Sequence, residues 1–276
     1  MVRITTIIDN YPDINHPEWV AEHGLSFLIE YEGTRILCDT GASPAFWENA
    51  EKMGIDLRTL SYAFLSHGHS DHTGGLRTFL EKNHHAQVYL SSCVFDQKFF
   101  SSRRGSKRDI STDWLLKSEY ESRLKGLTDS CWLIPGVALV RTYMHPHACP
   151  KGNLFLTCSE RDRESLDTFK HEYALALSTS EGLVIVSSCS HNGAVNIMDA
   201  CCRFTQVGHV KAFVGGLHLV DSNQVGDEVA TFLADKENSY PETIFYTGHC
   251  TGSQAREYLN HQKNIHFFYT GRVMDF

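Results

Sequence analysis

The segment Ser66–Leu76 reads Ser-His-Gly-His-Ser-Asp-His-Thr-Gly-Gly-Leu, and four of its residues can ligate a metal: His67, His69, Asp71 and His72. In extended backbone His67 and His69 point the same way, because side chains alternate between the two faces of a strand. Asp71 and His72 are neighbours and cannot both point that way, so they suit a second metal. Imidazole and carboxylate together suit zinc, manganese or iron and leave positions open for water. Asp71 can also orient the nucleophile, so it is predicted to be catalytic.

Three further histidines, His191, His218 and His249, each follow an apolar β pattern and have a small residue or a glycine beside them. All three stand in the same sequence context, and the metal site predicted at residues 67–72 needs further ligands. We therefore interpret them as functional rather than structural histidines. His218 can ligate a metal, bridge two metals or bind substrate, and it is predicted to be catalytic. Asp39 ends another strand, where it either orients a ligand histidine through its far nitrogen or serves only the turn.

The composition indicates which kinds of molecule the protein binds. The chain has 276 residues and a formal net charge of −8, with a sequence pI near 6.0. This acidic balance argues against sequence-independent nucleic-acid binding, which needs a basic surface. The sequence has no run of 18 apolar residues, and Met1–Ile8 lacks the pattern of a signal peptide. We therefore expect a cytoplasmic protein that binds neither nucleic acid nor membranes; its oligomeric state is left open, with a homodimer as one option.

The 9 cysteines show no pattern typical of a disulfide framework. Their number is odd, no Cys-x-x-Cys occurs, and most of them stand in apolar company. We expect them to be small buried hydrophobic residues. The 16 histidines therefore point to metal ligation by nitrogen and oxygen.

The elements that must position these ligands are strands followed by helices. The predicted strands are Val2–Ile8, Leu25–Tyr31, Thr34–Asp39, Leu60–Ser66, Gln87–Ser91, Ala174–Ser180, Gly182–Ser188, Val210–Val214, Thr243–Thr247 and Ile265–Tyr269. The predicted helices are Pro44–Lys52, Leu76–Lys82, Trp114–Leu124, Gly193–Phe204, Gly226–Lys236 and Ser253–His261. This order predicts a layered α/β protein with its chemistry in the loops at strand ends.

Residues 95–128 differ in composition from the rest and are interpreted as a mostly helical insertion or lid. The segment contains a basic run whose charged members are Arg103, Arg104, Lys107 and Arg108. These residues either form an exposed loop or recognise a phosphate or carboxylate, for which arginine is well suited.

The complete His-x-His-x-Asp-His pattern after a strand resembles the hallmark of the metallo-β-lactamase superfamily. Within it, the chain is most similar to the 7,8-dihydropterin-6-yl-methyl-4-(β-D-ribofuranosyl)aminobenzene-5′-phosphate synthase-like subgroup. The similar segments run nearly from end to end: His23–Ser26, Asp39–Gly41, Ser66–Leu76, Gly182–Val184, Cys189–His191, Gly215–His218 and His249–Gly252.

This resemblance implies a four-layer αββα sandwich formed by a single domain over residues 1–276. It implies two divalent metal ions, with zinc the first choice and manganese or iron as alternatives. One metal would be held by His67, His69 and His191, and the other by Asp71, His72 and His249. The implied activity is a dihydropterin-type transfer on an anionic, phosphorylated small molecule.

Three other functions stay open at this point. The first is a metal-dependent hydrolase of a phosphodiester, thioester or lactam bond, in which bound metal activates water. The second is a mononuclear iron oxygenase, and the third is a non-catalytic metal-binding or ligand-sensing module.

Overall fold

The computed structural model describes residues 1–142, 144–161 and 163–276. The strands are β1 (Val2–Ile8), β2 (Ser26–Tyr31), β3 (Thr34–Cys38), β4 (Tyr62–Phe64), β5 (Gln87–Ser91), β6 (Lys98–Ser101), β7 (Arg108–Asp109), β8 (Leu124–Leu127), β9 (Cys131–Ile134), β10 (Val137–Arg141), β11 (Leu156–Glu160), β12 (Arg163–Leu166), β13 (Tyr173–Thr179), β14 (Gly182–Val186), β15 (Val210–Val214), β16 (Ile244–Thr247), β17 (Ile265–Phe267) and β18 (Val273–Asp275). The helices are α1 (Ala45–Lys52), α2 (Ser70–Thr73), α3 (Leu76–Lys82), α4 (Leu116–Glu119), α5 (Ala194–Thr205), α6 (Val225–Ser239) and α7 (Ser253–Leu259).

The chain divides into two compact units. The first unit comprises Met1–Thr128, Phe155–His171 and Phe268–Phe276, and the second comprises Asp129–Leu154 and Glu172–Phe267. The prediction of one domain over residues 1–276 stays a prediction.

The first unit is built on a seven-stranded sheet in the order β18-β1-β2-β3-β4-β5-β8. Its strands are antiparallel from β18 to β3 and parallel from β3 to β8. Strands β2 and β3 form a tight hairpin, since Tyr31 pairs with Thr34 across Glu32 and Gly33. Both turn residues have positive φ, as a two-residue hairpin turn requires.

Apolar side chains of α1 and α3 cover this sheet. Phe46 and Trp47 of α1 and Phe79 of α3 are buried in one core cluster with Ile7 and Leu37 of the sheet. Burying each such side chain contributes about 1.5–3 kcal/mol. This core fixes the parallel strands whose ends carry the candidate ligands.

A small four-stranded sheet, β12-β11-β6-β7, also belongs to the first unit. It uses the region 95–128, where the sequence predicted mostly helix. Helical backbone is limited there to α4 and a 3-10 turn at Glu121–Arg123, whereas β6, β7 and β8 are extended. The predicted helix Trp114–Leu124 is thus correct only at its centre. Pairing of β6 with β11, a partner distant in sequence, gives the segment a sheet that local pattern does not reveal.

The second unit has a sheet of the same design, in the order β17-β16-β15-β14-β13-β10-β9. Strands β9 to β14 are antiparallel, and β14 to β17 are parallel. Helix α5 packs Ile197, Met198 and Cys201 into a core with Phe213 and Phe245 of the sheet. Among the described residues, none of the helices combines the length and the apolarity needed to cross a membrane.

Candidate metal centre

The histidine-rich segment of the first unit follows β4, inside the parallel part of the sheet. His67, His69 and His72 are all buried, and α2 begins at Ser70, directly after the first two histidines. The ring centroid of His67 lies 4.6 Å from that of His69 and 4.3 Å from that of His72. The strand end and the short helix therefore bring the three imidazoles together.

Asp71 completes this group from the first turn of α2. Its Oδ2 atom lies 3.7 Å from Nε2 of His72 and 3.6 Å from Nε2 of His23. The Asp71 side chain is 23% exposed, whereas that of His72 is fully buried. Asp71 is therefore the ligand candidate of this segment that solvent and small molecules reach.

Asp39 orients His72 from the end of β3. Its Oδ2 atom accepts hydrogen bonds from Nδ1 of His72, at 2.7 Å, and from Oγ of Ser66, at 2.7 Å. Its Oδ1 atom accepts another from the Ser66 backbone amide, at 2.7 Å. The bond to Nδ1 fixes the imidazole tautomer, so that the Nε2 lone pair of His72 is available for a metal.

Two residues that the sequence analysis missed lie beside His69. Oδ2 of Asp167 lies 3.8 Å from Nε2 of His69 and 3.0 Å from Nε2 of His171. The other ring nitrogen of His171, Nδ1, accepts a hydrogen bond from the amide of Gly68, at 3.0 Å. His171 thus donates through Nε2, and the pair links the backbone at Gly68 to the carboxylate next to His69. The spacing Asp167-x-x-x-His171 was the available sequence signal.

The electrostatics around His67 and His69 favour neutral imidazoles. Burial lowers the pKa of His67 well below its usual value, and the neighbouring histidines lower it further. Burial also lowers the pKa of His69. A neutral imidazole is the form that ligates a metal, so the donor set fits a divalent cation.

In the second unit the candidate residues follow three consecutive parallel strands. Cys189 to His191 come after β14, His218 after β15 and His249 after β16. Because the carboxyl ends of parallel strands meet at one edge of a sheet, the chain brings these residues together. Ser190, His218 and His249 have φ values of 61°, 49° and 48°, in the left-handed region that non-glycine residues avoid. Strain of this kind is typical of functional sites.

Glu172 holds the turn that carries His191. The buried Glu172 carboxylate accepts hydrogen bonds from the backbone amides of His191 and Asn192, each at 2.8 Å, and from Nδ2 of Asn192. Oδ1 of Asn153 lies 3.1 Å from Nδ1 of His191 and accepts its proton. As with His72, this bond leaves Nε2 of His191 as the candidate nitrogen for metal ligation.

Two cysteines of the second unit, which the sequence analysis interpreted as hydrophobic residues, lie among these histidines. Cys189 and Cys250 are buried, and His218 lies close enough to both for the three to hold one ion. Burial by itself would raise the pKa of the Cys250 thiol, but contacts with Cys189, His218 and His249 bring it well below its ordinary value.

The predicted substrate-binding residues Arg103, Arg104, Lys107 and Arg108 are exposed on and before β7. The Lys107 ammonium is paired with Glu164 and lies 3.9 Å from the centre of the Phe100 ring. Its charge is therefore partly neutralised by the chain itself. The role of the basic run in substrate binding stays a prediction.

A family model described as the metallo-β-lactamase superfamily matches residues 19–92, which include the histidine-rich segment. The chain is also 29% identical to a protein of Methanocaldococcus jannaschii named 7,8-dihydropterin-6-methyl-4-(β-D-ribofuranosyl)-aminobenzene-5′-phosphate synthase. That similarity covers 100% of this chain and 97% of the relative.

Solved structures share the fold over the whole chain. A crystal structure titled as Tm1679, a metal-dependent hydrolase of the β-lactamase superfamily, has a TM-score of 0.82 and 26% identity, covering 100% of this chain and 99% of the other. A diphosphatase of the PhnP family has a TM-score of 0.54 at 13% identity, covering 100% and 97%. At that identity the second likeness concerns the fold alone. The predicted fold class and resemblance are confirmed.

Proposed function

We propose that this chain, a member of the metallo-β-lactamase superfamily, is a metal-dependent enzyme that acts on an anionic, phosphorylated small molecule. The observation that carries the proposal is the cluster of His67, His69 and His72 in the first unit, with Asp71 beside them and Asp39 fixing the tautomer of His72. Buried neutral imidazoles held by carboxylates are typical of catalytic metal sites.

The ligand set is proposed from the sequence resemblance together with the geometry inside each unit. His67, His69 and His191 would hold one ion, and Asp71, His72 and His249 the other. Zinc is the metal we favour, with manganese or iron as alternatives.

When bound, divalent metals supply Lewis-acid polarisation of a phosphoryl or carbonyl oxygen and activate a nucleophile at neutral pH. Residues of the chain would orient the imidazoles and the nucleophile for this chemistry. Asp39 and Asn153 keep the Nδ1 atoms of His72 and His191 engaged, at 2.7 Å and 3.1 Å. Asp71, partly exposed, is placed to orient an incoming nucleophile and to hold its proton.

The substrate class is proposed from the relative that is named as a dihydropterin synthase and matches over the whole chain. In that reaction class the attacking group is an aryl amine. The solved structure titled as a metal-dependent hydrolase supports a second candidate, in which water attacks a phosphodiester, thioester or lactam bond. The two candidates share a site and differ in the nucleophile.

Purified, metal-loaded protein assayed on two substrates tests the proposal. The first is a dihydropterin diphosphate with an aryl amine, and the second is a phosphodiester reporter. Formation of the coupled pterin supports the transferase, whereas turnover of the reporter alone supports the hydrolase. Asp71→Ala is expected to abolish either activity. Full activity in that variant, or no dependence on metal in the wild type, would overturn the proposal.

A further inference from the structure

Cys189 lies where the candidate ligands of the second unit converge. Its sulfur is within 4.8 Å of a ring nitrogen in each of His191, His218 and His249, and within 4.8 Å of the Cys250 sulfur. All five side chains are buried. A thiol surrounded by three imidazoles and a second thiol is unlike a cysteine packed in an apolar core.

The backbone around Cys250 is built to receive a sulfur atom. A Cβ added at Gly216 would lie 2.4 Å from Sγ of Cys250, so only glycine leaves the space that this sulfur occupies. The backbone amide of His218 donates to the same sulfur, at 3.3 Å, and the Cys250 thiol in turn donates to the carbonyl oxygen of Cys189, at 3.5 Å. Once the thiol proton is lost, the amide donor stabilises the thiolate form.

His218 supplies an independent observation. Its Nδ1 atom is buried and makes no hydrogen bond within the described part of the chain. Leaving a buried polar atom without a hydrogen-bond partner destabilises the folded state. The residue also holds a left-handed backbone conformation, at φ 49°, which adds to that destabilisation. A cation bound to Nδ1 would satisfy the atom.

Cys201 shows what an ordinary buried cysteine of this protein looks like. It lies on α5 in the apolar core of the second unit, with Met198 and Phe213 in the same cluster. Burial raises the pKa of its thiol, so it stays protonated. Cys189 and Cys250 share its burial but have imidazole neighbours, and this contrast separates a ligand from a core residue.

We propose that Cys189 and Cys250 are thiolate ligands of a metal ion that His218 also binds. This inference rests on the proposed metal-dependent function and adds three donors to the six ligands proposed above. Coordination breaks each S–H bond, forms a metal–sulfur bond and releases the proton to solvent. A mixed thiolate and imidazole set favours Zn²⁺ and its substitute Co²⁺ over Mg²⁺ or Mn²⁺.

The test is the absorption spectrum of the full chain loaded with Co²⁺ under reducing conditions. Thiolate ligation produces a sulfur-to-cobalt charge-transfer band in the near ultraviolet, separate from the visible d–d bands that any bound cobalt shows. We expect this band in the wild type, at about half intensity in Cys189→Ser and in Cys250→Ser, because one of two thiolates remains in each. Cys201→Ser is the matched control and should keep the full band.

Two results would overturn the inference, and they differ in what else they overturn. Visible cobalt bands without a charge-transfer band would remove the thiolate ligands but leave the metal-dependent function standing. Absence of both kinds of band would remove the proposed function as well. X-ray absorption at the zinc edge of the wild type needs no variant, and it should show a sulfur shell at about 2.3 Å. A shell of nitrogen and oxygen alone would contradict the inference even if the serine variants do not fold.

Discussion

At the scale of single residues, the chemistry depends on which nitrogen of each imidazole is left for a metal. Asp39 decides this for His72, since its carboxylate accepts the Nδ1 proton in a fully buried pair. In Asp39→Asn the amide presents an oxygen or an NH₂ group and cannot serve all three donors that now share the carboxylate. We expect metal affinity to fall by on the order of 10- to 100-fold, as measured by competition with a chromophoric chelator.

The matched control for this prediction is Asp56→Asn. Asp56 is an exposed aspartate whose carboxylate accepts from the amide and Nε of Arg58. The Asp56→Asn substitution should leave metal affinity unchanged. Unchanged affinity in folded Asp39→Asn protein would show that the His72 tautomer does not depend on Asp39.

The residues predicted from the sequence are those whose signal is local. His67, His69, Asp71 and His72 stand within six positions, and Asp39 ends a recognisable strand. The partners that hold ligands in place were missed because they come from distant parts of the chain. Asp167, for example, lies 98 positions from His69 in the sequence and directly follows β12.

Cys189 was predicted to be a small buried hydrophobic residue, and it is buried. The sequence does not show whether it lies among apolar side chains or among imidazoles. The imidazoles around it come from the ends of β15 and β16, which join β14 only in the folded sheet. A local pattern cannot distinguish the two environments.

At the scale of elements, the candidate ligands follow the ends of parallel strands, and buried polar anchors hold the turns there. Glu172 is such an anchor, since three N–H groups of the turn after β14 donate to it. In Glu172→Gln one carboxylate oxygen is replaced by an NH₂ group. This group is a donor and would face the N–H donors of the turn. We expect a loss of about 1–3 kcal/mol in the free energy of unfolding, measured by urea denaturation of the metal-free protein.

Glu181→Gln provides the comparison. Glu181 is exposed at the turn between β13 and β14, where it pairs with Lys211 at 3.0 Å. An exposed ion pair contributes only about 0–1 kcal/mol. Equal losses in the two variants would show that the hydrogen bonds to Glu172 do not stabilise the turn.

The strands and helices with a clear period were predicted well. Strands β1, β5 and β15 begin and end where the sequence pattern predicted. The strands from β9 to β12 were not predicted. In β9 and β12 the residues are half-buried or exposed and show no apolar alternation. Their extended form depends on pairing with β13 and β6, which the local sequence does not contain.

At the scale of the whole molecule, a buried thiol makes the free energy of unfolding depend on pH. Burial raises the pKa of Cys201, whose ordinary value is 9.0, so the folded state keeps a proton that the unfolded state loses. The stabilisation is complete below pH 9.0 and decreases as the pH rises above that value. Urea denaturation between neutral pH and about pH 10, with reductant present, should show this decrease.

Cys201→Ala isolates the contribution of that thiol. The variant loses some packing at every pH, so its stability at neutral pH sets the baseline. From that baseline its stability should fall less steeply with rising pH than that of the wild type, by up to about 1.4 kcal/mol per pH unit. Parallel slopes would exclude Cys201 as a source of alkaline destabilisation.

The proposed metal-dependent function is tested most directly by the metal content of protein purified without added metal. Elemental analysis should find divalent metal, with zinc the main species and a ratio approaching two ions per chain. Substituting His191 in the second unit or His72 in the first with Ala should each lower that ratio by about one, if each loses one site. A wild-type chain that binds no divalent metal, before or after exposure to zinc, would contradict the account.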